Sequence, residues 1–480
     1  MLAQAGRLAS PLHRQVAATF ATATTLGLGR PPFSTAAPAQ PPPPPPPPGP
    51  LAGYKVLDLG QVVAGNFAGA LFAYFGADVI KVEPPGGDPL RSLRVLDGSG
   101  TSLWWRTYGR NRRCLVADLR TEAGRGVVRD LATRSDVLIE NFTPGKMEGW
   151  GLGPAELDPA LVYCRISGYG QTGPLAGRPG YASVCEAHSG FRAVNGFPDR
   201  APVRPNISLG DSLAGLHAAF GGVMALLARD RGPTGVGRVP NPAASATPPV
   251  GQVVDAAITE SVFSMLEACV PEWVEAGTDR EPSGSTISGV VPSATFRTAD
   301  ARWCVVGGNG DSVYTRLMGV VGRPDMGAAN PAFADNAARC SRAYEIYGVI
   351  TAWVAARPLA AVLEAMAAAR VPAGPILRPR DLVDDPQFVE RGMFQAAPPA
   401  PGGAQAQAQA QAGGGGGEAA PGPPRPVTVP AMLPVLGRTP GGTAWAGPEL
   451  GQHTAEVLRG ELGWGEAAVA AYVASVQGGK

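Results

Sequence analysis

No Asp or Glu precedes Asp58 in this 480-residue chain, although Arg7, Arg14 and Arg30 fall in that stretch among Ala, Ser, Thr and Leu. A leader without acids has the composition of an organelle-targeting peptide, and "RPPFST" around Phe33 is similar to a processing site of mitochondrial type. Mitochondria are the expected destination, with chloroplast or peroxisome as alternatives and an untargeted Ala/Pro tail as the plain reading. The proline run Pro41–Pro48 makes a stiff, extended spacer. Residues 1–50 are accordingly expected to join no folded core.

Other shortages exclude whole classes of function. The 6 cysteines are scattered, without a Cys-x-x-Cys pair and without a His-rich segment among only 4 histidines. That argues against a structural metal site and a disulfide framework, and suits a reducing compartment. A formal net charge of +1 leaves no single-sign field to draw in nucleic acid or a membrane surface. Gly, Pro and charged residues interrupt every hydrophobic segment, so no run approaches the roughly 20 residues of a membrane span. Metal, nucleic acid and membrane are therefore not expected as partners.

What is present is a regular alternation of strand and helix patterns. "YKVLDLG", "DVIKVE", "RCLVADL", "DVLIENF" and "LVYCRISGYG" read as buried strands, with "NFAGALFAYFGA" and "TEAGRGVVRDLATR" as helices between them. This order predicts a doubly wound α/β domain, whose ligands bind at the loops beyond the strand ends. The first of those loops lacks Gly-x-Gly-x-x-Gly, which argues against a dinucleotide and leaves other nucleotide-bearing ligands open. "RVPNPAASATPPV" and "PGGAQAQAQAQAGGGGGEAAPGPP" have the composition of solvated loops and are expected to be disordered.

One acid stands apart. In "NISLGDSLAGLHAAFGG", Asp211 lies between a glycine and an apolar run at helical spacing. Local pattern alone is met most simply by a helix N-cap, the carboxylate accepting a first-turn N–H.

The order of several stretches changes that reading. "VLDLGQVVAGNFAGALFAYFGADVIKVEPPGGDPLR", "GRNRRCLVADLRTEAGR", "VLIENFTPGKMEGWGL", "RISGYGQTGP", "SLGDSLAGLHAAFGGVMALL", "GQVVDAAITES", "ARVPAGPI" and "PELGQHTAEVLRGELG" cover nearly all of 53–463. Together they resemble the class III CoA-transferases, the family that also contains formyl-CoA and carnitine CoA-transferases and α-methylacyl-CoA racemases. Within it, the pattern is nearest to mitochondrial enzymes that pass CoA from succinyl-CoA to a dicarboxylate such as glutarate. The resemblance implies a Rossmann-like large domain built from both chain ends, 51–280 with an insertion near 238–250 and 379–480 with an insertion near 398–425. It further implies a small α+β domain over 281–378 and an interlocked homodimer.

By the same resemblance Asp211 is the nucleophile, carrying first an acyl group and then CoA. A carboxylate with an ordinary pKa near about 3.9 is ionised at neutral pH and needs no partner base. No prosthetic group is implied; coenzyme A enters as a thioester substrate, with a small carboxylic acid as its counterpart. Gly210 would let the thioester approach, with N–H groups at the helix start facing the developing oxyanion. For CoA itself, Arg91, Arg94, Asn111 and Arg112 suit phosphates, although each also reads as an ordinary surface group. Asn141 and Phe142 match the pair that borders CoA, Gln61 and Ala64 the thioester end, and Tyr169 belongs to the adjoining Gly-Tyr-Gly-Gln segment. Lys146 is assigned a compensating charge, because Gly149 stands where the family often has Arg. Gly308 and Gly310 in "GGNGD" match a glycine lid, or a plain β-turn.

Departures from the pattern are informative. The racemase branch uses a His-Asp pair where this chain has Gly180 and Tyr181, while His188 and His217 read as packing groups. Glu186 stands where transferases usually have Gln. Pro84 and Pro85 replace residues that are often basic. A dicarboxylate substrate needs an arginine, for which Arg106, Arg110 and Arg192 are candidates. The alternatives to CoA transfer are racemase chemistry and a catalytically inactive CoA-binding scaffold.

Overall fold

A computed structural model describes residues 48–231, 250–402 and 425–477. Residues 1–47 of the leader and nearly all of the two low-complexity stretches lie outside the described residues. Six parallel strands form the main sheet: β1 (Lys55–Asp58), β2 (Asp78–Glu83), β3 (Arg112–Val116), β4 (Val137–Glu140), β5 (Val162–Ser167) and β6 (Val253–Ala257). Their order is β3-β2-β1-β4-β5-β6. The helices that position the site are α1 (Ala64–Tyr74), α2 (Glu122–Ala132), α3 (Ala182–His188), α4 (Leu209–Arg231), α5 (Ile258–Phe263), α6 (Thr454–Gly460) and α7 (Glu466–Gln477).

Strands β1 to β5 read as continuous apolar runs because both faces of the sheet are covered there. Side chains alternate, so Val56, Val79, Val137, Ile139 and Cys164 face α1 and α4. Leu57, Ile80, Leu115, Leu138 and Tyr163 face the opposite side, where Val127 and Leu131 of α2 meet Val457, Leu458, Val469 and Tyr472 of α6 and α7. The C-terminal return also closes the edge strand β3. Its Cys114 carbonyl accepts the His453 N–H at 3.0 Å, and the Cys114 N–H donates to His453 Nδ1 at 3.1 Å. Burial lowers the His453 pKa, which keeps Nδ1 an acceptor. The Val116 N–H then donates to Thr454 Oγ1 at 3.1 Å, so an edge that could pair with another chain is occupied.

A second, antiparallel sheet contains β7 (Ser293–Arg297), β8 (Trp303–Gly307) and β9 (Ala373–Pro375). With helices Asp311–Val320, Ala343–Ala355 and Leu359–Ala368 it builds its own core around Val306, Tyr314, Ile350 and Met366. β10 (Phe394–Ala397) and β11 (Val427–Pro430) pair antiparallel as the chain returns to the main sheet.

One expectation about apolar runs is corrected. α4 has 23 residues, and its most apolar 18-residue window reaches a mean hydropathy of 1.4, enough in length and composition to cross a bilayer although glycines and His217 break the sequence. It serves here as a core helix: Ala214, Ala218, Gly222 and Leu226 are buried. Its other face leaves Leu216, Phe220, Val223, Met224 and Leu227 exposed, Phe220 by 61%.

Candidate active site

Between β1 and β4 the strand order reverses, and the loops leaving their carboxyl ends run to opposite sides of the sheet, opening a crevice. A cavity of about 210 Å³ lies there. Its lining comprises residues 61–64 after β1, 141–144 after β4, 166–168 at the end of β5, 178–181 before α3, Asp211 and Ile258. Sites that enclose a drug-sized ligand run to roughly 300–1,000 Å³, so this cavity has room for only part of such a ligand.

Polar bonds fix the two diverging loops to each other. The Gln61 N–H donates to Asn141 Oδ1 at 2.7 Å, and Asn141 Nδ2 donates back to the Gln61 carbonyl at 2.8 Å. Val62 holds φ at +60°, a left-handed conformation that a β-branched residue adopts only under constraint. Buried Asp88 supplies that constraint. It accepts the Val62 N–H at 3.1 Å and Asn66 Nδ2 at 2.7 Å, and Lys81 neutralises it at 3.3 Å. Strain of about 1–3 kcal/mol is thus held beside the cavity.

Close helix packing brings Asp211 to this point. A Cβ at Gly215 would lie 2.5 Å from the Ala64 carbonyl, so only glycine lets α4 rest on the first turn of α1. Asp211, one turn earlier in α4, therefore faces the start of α1, where Val63 provides no side-chain cap. The N-cap reading of Asp211 is corrected: α4 begins at Leu209 and the carboxylate occupies its first turn.

The electrostatics differ from an ordinary carboxylate. Burial pushes the Asp211 pKa up to about 6, and the negative charge of Glu186 adds to the rise, while Arg204 and the Ala182 N–H oppose it. At pH 7 the ionised form still exceeds the protonated form about tenfold. Glu186 is fully buried; it accepts the Gly210 N–H at 3.1 Å and meets Arg192 at 3.4 Å. That bond corrects the assignment of Gly210 as an oxyanion donor, because its N–H is already committed. The N–H groups opening α1, where no side chain caps the helix, are available as donors beside the cavity.

The sequence-derived CoA contacts divide in two. Gln61, Ala64, Asn141 and Phe142 line the cavity. Arg94 and Lys146 are exposed, stacked on Trp104 at 4.1 Å and on Trp150 at 4.8 Å, with no carboxylate partner among the described residues. Three others are committed to structure. Arg91 grips buried Glu83 through two 2.7 Å bonds and covers the Trp105 ring at 3.9 Å. Arg112 is buried against Asp58 and the Tyr108 carbonyl. Asn111, with φ at +57°, latches residues 442–445 by donating to the Gly442 carbonyl and accepting the Ala444 N–H, each at 2.7 Å. These three cannot reach a phosphate without breaking bonds that hold the fold.

Tyr169 stacks edge-on with His188 at 5.4 Å, outside the cavity lining. Gly308, whose N–H donates to the Pro292 carbonyl at 2.8 Å, and Gly310 belong to the loop after β8 and are likewise not lining residues. Sequence reasoning assigned no role to Arg178 or Arg204; only the charged residues near Asp211 in the "RPGY" and "VRPN" segments could have signalled them. Glu186 was visible as a departure, but its contact with Gly210 was not.

Known proteins resemble this chain over most of its length. The profile described as CoA-transferase family III matches residues 51–454. A succinyl-CoA–D-citramalate CoA-transferase of Chloroflexus aurantiacus is 38% identical over 418 residues, covering 86% of this chain and 94% of that enzyme. The human succinyl-CoA:glutarate CoA-transferase is 29% identical over 348 residues, covering 72% and 75%. Among solved structures, a CAIB/BAIF family protein from Brucella suis superposes with a TM-score of 0.69 at 28% identity, covering 86% of this chain and 99% of that one.

Proposed function

Because the chain belongs to CoA-transferase family III, an enzyme family that transfers CoA, we propose that it moves CoA from succinyl-CoA to a small dicarboxylic acid through Asp211. The observation that carries this reading is a largely ionised carboxylate set in a cavity whose lining contains no His or Cys to serve as an alternative nucleophile or as a base. Succinyl-CoA is the donor named for relatives at 29–38% identity, with D-citramalate, L-malate or glutarate as acceptors, all of them dicarboxylates.

The chemistry needs no proton transfer. A carboxylate oxygen of Asp211 attacks the thioester carbonyl, the C–S bond breaks, and CoA thiolate leaves an aspartyl-acyl anhydride. The thiolate then attacks the Asp211 carbonyl carbon, releasing succinate and forming an aspartyl-CoA thioester. The acceptor carboxylate attacks that thioester and expels thiolate; thiolate attack on the new acyl carbonyl yields the product acyl-CoA and restores the Asp211 carboxylate. Each tetrahedral stage places negative charge on oxygen, which the open N–H groups of α1 would stabilise. The anhydride is hydrolysed by free water, so a small cavity suits it.

Mass spectrometry of enzyme mixed with succinyl-CoA should find a CoA or acyl adduct on Asp211, and the enzyme should exchange CoA among free acids. No adduct and no exchange, together with α-deuterium wash-out from a 2-methylacyl-CoA, would replace this reading by the racemase one. The exposed apolar face of α4 supports a homodimer in which a second copy covers it. Composition of the leader supports mitochondrial import, which a fluorescent fusion of residues 1–50 would test.

A further inference from the structure

We infer that Arg178 recognises the second carboxylate of a dicarboxylate acyl group bound at Asp211; the inference rests on the CoA-transfer reading above. Arg178 is the only cation among the cavity-lining residues. The arginines that the sequence offers for this task are engaged elsewhere. Arg106 pairs with Asp97 at 2.8 Å and Glu449 at 2.6 Å, and Arg192 pairs with Glu186. Arg110 is buried and donates to the carbonyls of Thr107 and Pro430. Arg178 is exposed and, among the described residues, meets no carboxylate.

Its place is set by the backbone. The Arg178 N–H closes a turn onto the Leu175 carbonyl at 2.8 Å, and Pro179 then fixes φ. At Gly180 a Cβ would come within 2.9 Å of Cys185 Sγ and 3.0 Å of the Gly168 Cα. The chain is thus clamped between the end of β5 and α3 only two residues beyond Arg178. Nor is Arg178 the counter-ion of the nucleophile, since Arg204 is the cation that steadies the Asp211 charge. A succinyl or related group reacts at one end and carries an anion at the other. Entering a small cavity, that anion needs a charged donor, and a guanidinium can bind it with two parallel bonds.

The test compares Asp211 acylation and steady-state turnover of the full chain with succinyl-CoA and with butyryl-CoA, equal in carbon count but lacking the second carboxylate. For Arg178→Leu, kcat/KM with succinyl-CoA should fall roughly 10- to 100-fold, the value of a lost charge-assisted bond, while butyryl-CoA changes by less than about 3-fold or improves. Arg178→Lys, which keeps charge but loses the fork, should fall between. Equal losses with both thioesters would assign Arg178 to the CoA moiety and overturn the inference, as would no loss with either. Circular dichroism of both variants guards against misfolding. Wild-type protein that forms no Asp211 adduct would overturn the underlying reading instead.

Discussion

Replacing Glu186 by Gln should make the enzyme more active in acid. Asp211 moves from 3.8 to about 6 on folding, a difference of about 3 kcal/mol between its charge states. Burial is the larger cause and survives the substitution; the negative charge of Glu186 does not. Gln keeps an oxygen for the Gly210 N–H, so the backbone carrying Asp211 stays in place, and it leaves the positive charge of Arg192 without its acid. The expected outcome is a fall in the apparent pKa below about 6, each unit of fall being worth about 1.4 kcal/mol. The sign follows from the nucleophile being the ionised form: below its pKa, kcat/KM drops about tenfold per pH unit, so a lower pKa moves the acid limb left. The assay is kcat/KM for succinyl-CoA between pH 4.5 and 8, which reports the free enzyme. An acid limb that stays near pH 6, or moves upward, would refute the claim that Glu186 opposes ionisation of Asp211.

Asp211→Asn should abolish CoA exchange and yet stabilise the protein. A carboxyl whose folded pKa is raised contributes stability while protonated and loses it as pH rises through about 6, so at pH 8 the wild type bears a cost of up to about 3 kcal/mol that Asn lacks. Its Tm should exceed that of wild type by several degrees at pH 8, with the difference closing near pH 4. Arg91→Lys should lower Tm but leave KM for acyl-CoA within about 2-fold, because its guanidinium serves Glu83; Lys146→Ala should raise that KM about 3- to 10-fold, less so at high salt. Phe220→Glu should turn a dimer into monomers by size-exclusion chromatography with light scattering, because it places a charge in the exposed stripe of α4.

Much of this molecule can be read directly from residue patterns. Strands β1 to β5 announce themselves because each is buried on two faces, and the order of motifs carries Asp211, Gln61 and Asn141 to one crevice. The failures share a cause. Arg91, Arg112 and Asn111 look like phosphate ligands because a sequence displays a charge without its partner. Glu83, Asp58 and Gly442 become partners only once the sheet and the C-terminal return have formed. Likewise, the ordinary pKa assumed for Asp211 held for a solvated side chain. Its rise comes from burial by α1 and from Glu186, neither of which is a neighbour in sequence.

The closure of β3 has a consequence for how the chain is made. Cys114 and His453, which seal that edge, are separated by 339 positions. At 5–20 residues per second, synthesis takes roughly 20–70 s to travel between them. Throughout that interval a nascent chain carries a strand edge with unanswered backbone groups. Chains that end before His453 should therefore accumulate as aggregates rather than as smaller folded enzymes, so the last turns of the protein act as the timer that decides when its first half becomes safe from its neighbours.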